Sequence, residues 1–213
     1  MKCNGAIFDM DGLLFDTEKI FQQTWKELAE ERNICLPKEF VREISGTNGT
    51  HMCQVIETYY GVPDGREIQE NCMLRVRAKL QEHVPKKPGV DEILQYFRKN
   101  NVHLAVASSS SKELIESNLR IAGIRSYFEA IVSGDEVEHG KPAPDIFLLA
   151  ADKIKCRPQE CYVFEDSANG IRAGYAAGCN AIMIPDILSP TKEVRGLCYR
   201  VYDSLIDAVN EKI

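Results

Sequence analysis

Short apolar segments alternate with helical patterns along most of this chain. The apolar segments are three to five residues long and end at polar or turn residues, which is typical of buried strands. The segments between them repeat apolar residues at intervals of three and four, as helices do. Strands that alternate with helices form a parallel sheet with helices on both faces, so the sequence predicts an α/β fold. The predicted strands are residues 6–9, 103–107, 130–132, 161–164 and 180–184.

Residues 17–84 interrupt this alternation, because no strong strand candidate lies among them. They carry helical patterns instead, bounded by Asp16 and by a proline-containing turn at residues 85–89. The sequence therefore predicts an all-helical insert at 17–84 within an α/β core that consists of residues 1–16 and 85–213. The apolar positions of the helical patterns are Phe21, Trp25 and Leu28, then Met52, Val55, Ile56, Tyr59 and Tyr60, and then Ile68, Cys72, Val76 and Leu80.

The composition argues against several classes of protein. The net charge of −6 disfavours non-specific nucleic-acid binding, and no apolar run approaches the length of a membrane span. Eight cysteines occur without a Cys-x-x-Cys pair, which favours free thiols in a reducing compartment. The first residues lead directly into a strand rather than into a signal peptide. We therefore expect a cytoplasmic protein with no nucleic-acid, membrane or obligate protein partner.

Asp9 and Asp11 lie where the first predicted strand ends. Residues i and i+2 of an extended chain point to the same side, so the two carboxylates can face one point in space. Two carboxylates this close do not both ionise cheaply without a cation. The pair therefore indicates either a metal site with one proton-carrying acid or surface residues at an Asp-Gly turn. A calcium loop does not fit, because Leu13 stands where that loop requires an oxygen ligand.

Polar residues also follow the second and fourth predicted strands, at the edge where α/β sheets bind ligands. Residues 108–111 are four serines before a helix, and they form either a phosphate-binding helix N-terminus or a polar loop with one capping serine. Glu165 and Asp166 also precede a helix. They indicate either a helix cap or a metal site that Asp9 completes.

Lys141 lies in a loop, residues 140–145, that contains two prolines and precedes another helix. A loop lysine is usually solvated, but the prolines fix the backbone directly after this one. A local positive charge would also suit an anionic substrate in an acidic protein. The loop therefore indicates either surface structure or an anion site.

Together these segments resemble the four motifs of the haloacid dehalogenase (HAD) superfamily, and most closely those of its small phosphatases and β-phosphoglucomutase-like enzymes. The match is strong in the core and weak in the helical insert. It implies a three-layer, Rossmann-like parallel-sheet core with an inserted all-helical cap domain. The matching segments are Asp9-Met10-Asp11-Gly12-Leu13-Leu14-Phe15-Asp16-Thr17-Glu18, Ser108-Ser109, Gly140-Lys141-Pro142-Ala143-Pro144-Asp145 and Glu165-Asp166.

The resemblance also implies roles for individual residues in phosphoryl transfer. Asp9 would be the nucleophile toward phosphorus, and Asp11 would be the general acid and base. The hydroxyl of Ser108 and the backbone N–H of Ser109 would hold phosphoryl oxygens. Lys141 would neutralise those oxygens and the nucleophilic carboxylate.

The same resemblance implies a Mg²⁺ site. Asp9, Asp166 and the backbone carbonyl of Asp11 would bind the ion directly, and Glu165 would bind it directly or through water. The implied activity is that of a Mg²⁺-dependent phosphatase working through an aspartyl-phosphate. The expected partner is a small phosphorylated metabolite, in our expectation a sugar or polyol phosphate.

Two alternatives stay open. Dehalogenases and phosphonatases of the superfamily lack the second acid, which this chain has at Asp11. An inactive phosphate-binding module would be expected to have lost one of four residues, all of which are present: Asp9, Asp11, Lys141 and Asp166. A β-phosphoglucomutase-type mutase is the closer alternative, because those mutases share all four motifs.

A mutase needs a second cationic site for its bisphosphate intermediate. The mutases carry an Arg in the cap loop and a His four residues after the motif Thr. Here the loop 46–50 contains no cation and Phe21 takes the His position, which favours the phosphatase. Arg75 or Arg77 could partly substitute. The substrate is left open, and the residues expected to select it are 46–52 with Arg75, Arg77 and Lys79.

Overall fold

The computed structural model describes residues 3–44, 47, 49–186 and 189–213. The chain divides into two compact units, Met1–Asp16 with Pro85–Ile213 and Thr17–Val84. These limits lie at the same residues as those of the predicted core and insert, and the action of the helical unit as a cap stays a prediction. Within the described ranges, no helix has both the length and the apolarity that crossing a bilayer requires.

The larger unit is built on a six-stranded sheet in which every neighbouring pair of strands is parallel. Its strands are β1 (Gly5–Phe8), β2 (His103–Ser108), β3 (Ala130–Ser133), β4 (Cys161–Glu165), β5 (Asn180–Met183) and β6 (Arg200–Val201). Their order across the sheet is β3-β2-β1-β4-β5-β6, so β1 lies between β2 and β4. The two-residue β6 escaped the sequence analysis, because it is too short to show a pattern.

The described residues of the smaller unit form helices and the turns between them. The helices are α1 (Thr17–Glu30), α2 (Lys38–Ile44), α3 (Gly49–Tyr60) and α4 (Arg66–Glu82). Trp25 of α1 packs edge-on against Phe40 of α2, and Tyr60 of α3 donates a hydrogen bond to the Trp25 carbonyl at 2.7 Å. The sequence analysis missed α2, because its seven residues offer too few apolar positions to show a period.

Helices cover both faces of the sheet. They are α5 (Val90–Lys99), α6 (Lys112–Ile121), α7 (Asp145–Lys153), α8 (Ala168–Ala176), α9 (Lys192–Leu197) and α10 (Leu205–Asn210). Residues of α7 and α8 pack on the face that carries Ile7 and Val163. Phe97 of α5 packs on the opposite face, against Phe8. The predicted α/β class is therefore confirmed, although the six-residue α9 was not foreseen.

An aromatic cluster joins the two central strands to α5. Phe8 and Phe164 are register partners on β1 and β4, and their rings stack with centroids 4.8 Å apart. Phe97 meets both rings edge-on, at 6.1 and 5.8 Å. Edge-on and offset contacts of this kind stabilise aromatic pairs beyond the area they bury. Asp9 follows Phe8 and Glu165 follows Phe164, so the cluster also fixes the strand ends that carry these acids.

We expect Phe97→Ala to lower the free energy of unfolding of the core by about 3–5 kcal/mol, because it leaves a cavity beneath two central strands. Chemical denaturation followed by circular dichroism measures this loss. Leu148→Ala is the control, since Leu148 is an exposed residue of α7 and its truncation should cost less than about 0.5 kcal/mol. Equal losses in the two variants would contradict the central place of the aromatic cluster.

Candidate active site

The acids and the first serine of the predicted site meet because three neighbouring strands end at the same edge of the sheet. Asp9 follows β1, Ser108 ends β2 and Glu165 ends β4. The backbone N–H of Asp9 donates to the carbonyl of Phe164 at 3.0 Å, which ties the end of β1 to that of β4. The register of the sheet therefore fixes the positions of Asp9 and Glu165 relative to each other.

Lys141 reaches into this edge from the loop before α7. Its ammonium donates to Asp9 Oδ1 at 2.5 Å, to Glu165 Oε1 at 2.8 Å and to the carbonyl of Ala107 at 3.1 Å. The side chain is only 7% exposed, and its Nζ lies 4.9 Å from the ring centroid of Phe147. The interpretation of Lys141 as a solvated surface residue is therefore wrong.

Three carboxylates lie close enough together to hold one cation. Asp9, Glu165 and Asp166 each offer an oxygen, and these oxygens all lie within 4.8 Å of one another. Mg²⁺ prefers oxygen ligands and usually takes one or two carboxylates while keeping several waters. The donor set therefore fits a hard divalent cation.

Ser167, not Asp166, caps α8, because its Oγ accepts the Gly170 N–H at 3.0 Å. The interpretation of Asp166 as the helix cap is therefore wrong.

The charges at this edge do not balance. Burial raises the pKa of Asp9 to about 7, although the neighbouring Lys141 ammonium opposes the shift. Burial and the adjacent Glu165 and Asp9 also raise the pKa of Asp166 well above its ordinary value. For Lys141, burial disfavours the charged form, but the carboxylates of Asp9 and Glu165 outweigh it and raise the pKa. An added divalent cation would relieve this excess of negative charge.

Two glycines leave room for the acids. A Cβ atom on Gly170 would overlap the carboxylate of Glu165, and one on Gly12 would overlap that of Asp166. Gly12 also has a φ of +83°, in the left-handed region that favours glycine. The sequence alone does not show which side chains occupy these spaces.

The serine loop between β2 and α6 divides its work among neighbouring residues. Ser111 caps α6 and accepts the N–H of Leu114 at 3.5 Å, as the capping alternative predicted for one of the four serines. Ser108 Oγ accepts the N–H of Ser110 at 3.1 Å and lies 3.4 Å from Asp11 Oδ2. Ser110 Oγ donates to the same Asp11 oxygen at 2.9 Å. The sequence analysis gave Ser110 no role, because the turn geometry decides which serine faces Asp11.

Two of the three cationic residues proposed to select the substrate have acidic partners within the helical unit. Arg75 pairs with Glu31 at 2.5 Å, and Lys79 pairs with Glu27 at 2.7 Å. Arg77 instead lines an 890 Å³ cavity at α3 and α4. Of the loop 46–50, Gly46 and Asn48 lie outside the described residues.

The family assignment rests on the match of residues 6–184 to the Haloacid dehalogenase-like hydrolase family. The chain belongs to this family. Fructose-1-phosphate phosphatase YqaB of Escherichia coli is 34% identical over 84% of this chain and 94% of its own. The Phosphorylated carbohydrates phosphatase of Thermotoga maritima is 31% identical over 83% and 82%. A crystal structure of a HAD family hydrolase from Deinococcus radiodurans, with bound phosphate and sodium, is similar in fold, with a TM-score of 0.83 and 27% sequence identity. The similarity covers 98% of this chain and 96% of that one.

We expect Gly170→Ala to weaken Mg²⁺ binding by about 10- to 100-fold, because the new methyl group displaces Glu165 from the acidic cluster. Isothermal titration calorimetry of the metal-free protein measures this change without reference to turnover. Gly196→Ala on α9 is the control, since a Cβ on this helical residue would meet nothing within 4 Å. A folded Gly170→Ala variant with unaltered affinity would refute the spacing argument.

We also expect the stability of the metal-free protein to fall as the pH rises from about 4 to about 7. Asp9 has a folded pKa of about 7 against 3.8 for an ordinary Asp, so the folded state binds the proton more tightly across that range. Mg²⁺ competes with these protons and should raise the melting temperature more at pH 8 than at pH 5. Melting curves with EDTA and with Mg²⁺ test this, and an equal shift at both values would contradict it.

Proposed function

We propose that this chain is a Mg²⁺-dependent phosphatase that hydrolyses a small phosphomonoester, a sugar or polyol phosphate, through an aspartyl-phosphate. The observation that carries the proposal is the meeting of Asp9, Asp11 and the buried Lys141 at the end of β1. The names of the related phosphatases support a phosphorylated carbohydrate as the substrate class.

In the proposed reaction Asp9 attacks phosphorus, and the bond between phosphorus and the ester oxygen breaks. Asp11 gives its proton to the departing alkoxide, which leaves as an alcohol. Asp11 then accepts a proton from the water that attacks the aspartyl-phosphate. That attack releases inorganic phosphate and restores the Asp9 carboxylate, so both acids return to their starting states.

Three groups of the chain would stabilise the phosphoryl oxygens, where negative charge spreads in the transition state. The Ser108 hydroxyl and the Ser109 N–H would donate hydrogen bonds to them. The three N–H donors of the Lys141 ammonium are engaged by two carboxylates and a carbonyl, so Lys141 would act through its positive charge.

The cation would be held by Asp9, Asp166 and the carbonyl of Asp11. When bound, it supplies positive charge against the phosphoryl oxygens. Both oxygens of Glu165 already accept hydrogen bonds, one from Lys141 and the other from the N–H and Oγ of Ser167. We therefore assign Glu165 the water-mediated position.

Two further parts of the proposal concern the compartment and the choice between phosphatase and mutase. A reducing cytoplasm suits the eight cysteines, all of them free. A mutase would need a cationic site for a second phosphate. Arg75, one of the two candidates for it, pairs with Glu31 at 2.5 Å, which supports the phosphatase.

Asp9→Asn should lower kcat by about 10⁴-fold or more while the protein stays folded, because the amide is no nucleophile toward phosphorus. Phosphate release in the presence of Mg²⁺ measures the loss. Asp152→Asn is the matched control, because Asp152 has a 75% exposed side chain on α7 and should tolerate the change. Retention of a sizeable fraction of the activity in Asp9→Asn would exclude Asp9 as the nucleophile.

A panel of sugar phosphates, polyol phosphates, nucleotides and phosphoglycolate tests the substrate class. We expect Mg²⁺-dependent release of inorganic phosphate from sugar or polyol phosphates without a bisphosphate activator. Faster conversion of β-glucose 1-phosphate to glucose 6-phosphate, dependent on the 1,6-bisphosphate, would assign a mutase instead. No release from any member of the panel would support an inactive binding module.

A further inference from the structure

We propose that Ser110 is the positioning residue for Asp11 in proton transfer to the leaving alkoxide. The inference rests on the proposed phosphatase function and adds a residue to it. Ser110 Oγ donates to Asp11 Oδ2 at 2.9 Å, within the usual range for a hydrogen bond between oxygens. Ser108 Oγ lies 3.4 Å from the same oxygen, beyond that range. Ser110 is therefore the serine that holds the acid.

The loop geometry separates the tasks of these two serines. Ser108 Oγ accepts the N–H of Ser110 at 3.1 Å and makes only a long contact of 3.4 Å with Asp11 Oδ2, so its proton can turn to a phosphoryl oxygen. Ser110 directs its own proton at Asp11 instead. One serine can thus face the phosphoryl group while the other faces the acid.

The chain on both sides of Ser110 is fixed. The end of β2 fixes the chain before it, and the Ser111 cap of α6 fixes the chain after it. The backbone of the preceding residue also packs closely on Gly134, because a Cβ there would lie 3.0 Å from the carbonyl oxygen of Ser109. A hydroxyl held by a strand end and a capped helix loses little further freedom when it acts, as positioning groups must.

The hydrogen bond strengthens as the reaction proceeds. In the first step the O–H bond of Asp11 breaks, its proton moves to the alkoxide oxygen, and the carboxyl becomes a carboxylate. A hydroxyl donates more strongly to a carboxylate than to a neutral acid, because the acceptor is then charged. Ser110 therefore stabilises the transition state for departure of the alkoxide more than it stabilises the ground state, and this difference lowers the barrier.

The test compares two leaving groups. One substrate is the sugar or polyol phosphate that the wild-type protein hydrolyses fastest in the panel, whose alkoxide needs a proton to leave. The other is p-nitrophenyl phosphate, whose phenolate is stable and leaves without one. We expect Ser110→Ala to lower kcat/KM by about 10- to 100-fold for the first substrate, the equivalent of a hydrogen bond to a charged group. For p-nitrophenyl phosphate we expect a loss below about 3-fold, because that reaction does not use the Asp11 proton.

Three further variants complete the experiment. Ser110→Thr keeps the hydroxyl and should restore the ratio between the two substrates. Thr191→Ala removes the cap of α9, which lies outside the serine loop, so it should lower stability by about 1 kcal/mol and leave the ratio unchanged. In the Asp11→Asn background, Ser110→Ala should add less than about 2-fold, because a residue that acts through Asp11 has nothing left to position.

Each outcome bears on a separate claim. If the wild-type protein hydrolyses neither substrate, the proposed phosphatase function fails. If it hydrolyses both and Ser110→Ala lowers them by the same factor, Ser110 contacts the phosphoryl group or only maintains the loop, and the positioning proposal is overturned. An unchanged rate for both substrates overturns it as well.

Discussion

The Lys141 side chain is 7% exposed, and its ammonium donates hydrogen bonds to Asp9 and Glu165. Taking charges out of water costs several kcal/mol per ion, and attraction offsets that cost only where the geometry satisfies the donors. Here the carboxylate that follows β1, a carboxylate from β4 and a carbonyl from β2 receive the three donated hydrogen bonds. This buried contact depends on the order of the three strands. Lys141 donates to Asp9 and Glu165 but not to Asp166, the third acid of the cluster. The negative charge that Lys141 does not neutralise makes this edge of the sheet suited to a divalent cation.

The rest of the core holds this contact in place. Stacking of Phe8 on Phe164 sets the two strand ends, and Gly170 leaves the volume that the Glu165 carboxylate fills. Ser167 donates two hydrogen bonds to the same carboxylate and caps the following helix with its side-chain oxygen. Packing, capping and charge thus converge on a few side chains, so a small substitution remote from the reacting atoms can change the site as much as the loss of an acid.

The serine loop shows how one repeated residue type can serve several purposes. Ser108 lies at the strand end, Ser110 faces Asp11 and Ser111 caps α6. Identical side chains differ in function here because consecutive residues of a turn point in different directions. In the helical unit, neighbouring side chains likewise decide what a residue does, since Arg75 and Lys79 pair with acids of their own unit. A cationic residue in the sequence is therefore not by itself evidence of a phosphate-binding site.

The sequence alone predicted the fold class, and its limits for the helical segment lie at the same residues as those of the smaller unit. It also named the acids, the lysine and the first serine that lie at the sheet edge, and their roles in catalysis stay predictions. Apolar periodicity and polar residues at strand ends are local properties, so they can be recognised in the sequence without knowledge of the packing. The sequence left out α2, α9 and β6, because six or seven residues, or two, are too few to show a period. Three features became visible only in the folded chain: Lys141 is buried, Ser167 rather than Asp166 caps α8, and Ser110 meets Asp11. Each of these features involves residues far apart in the chain or depends on the geometry of a turn. The register of parallel strands and the space beside a glycine that lacks a Cβ exist only once the chain has folded.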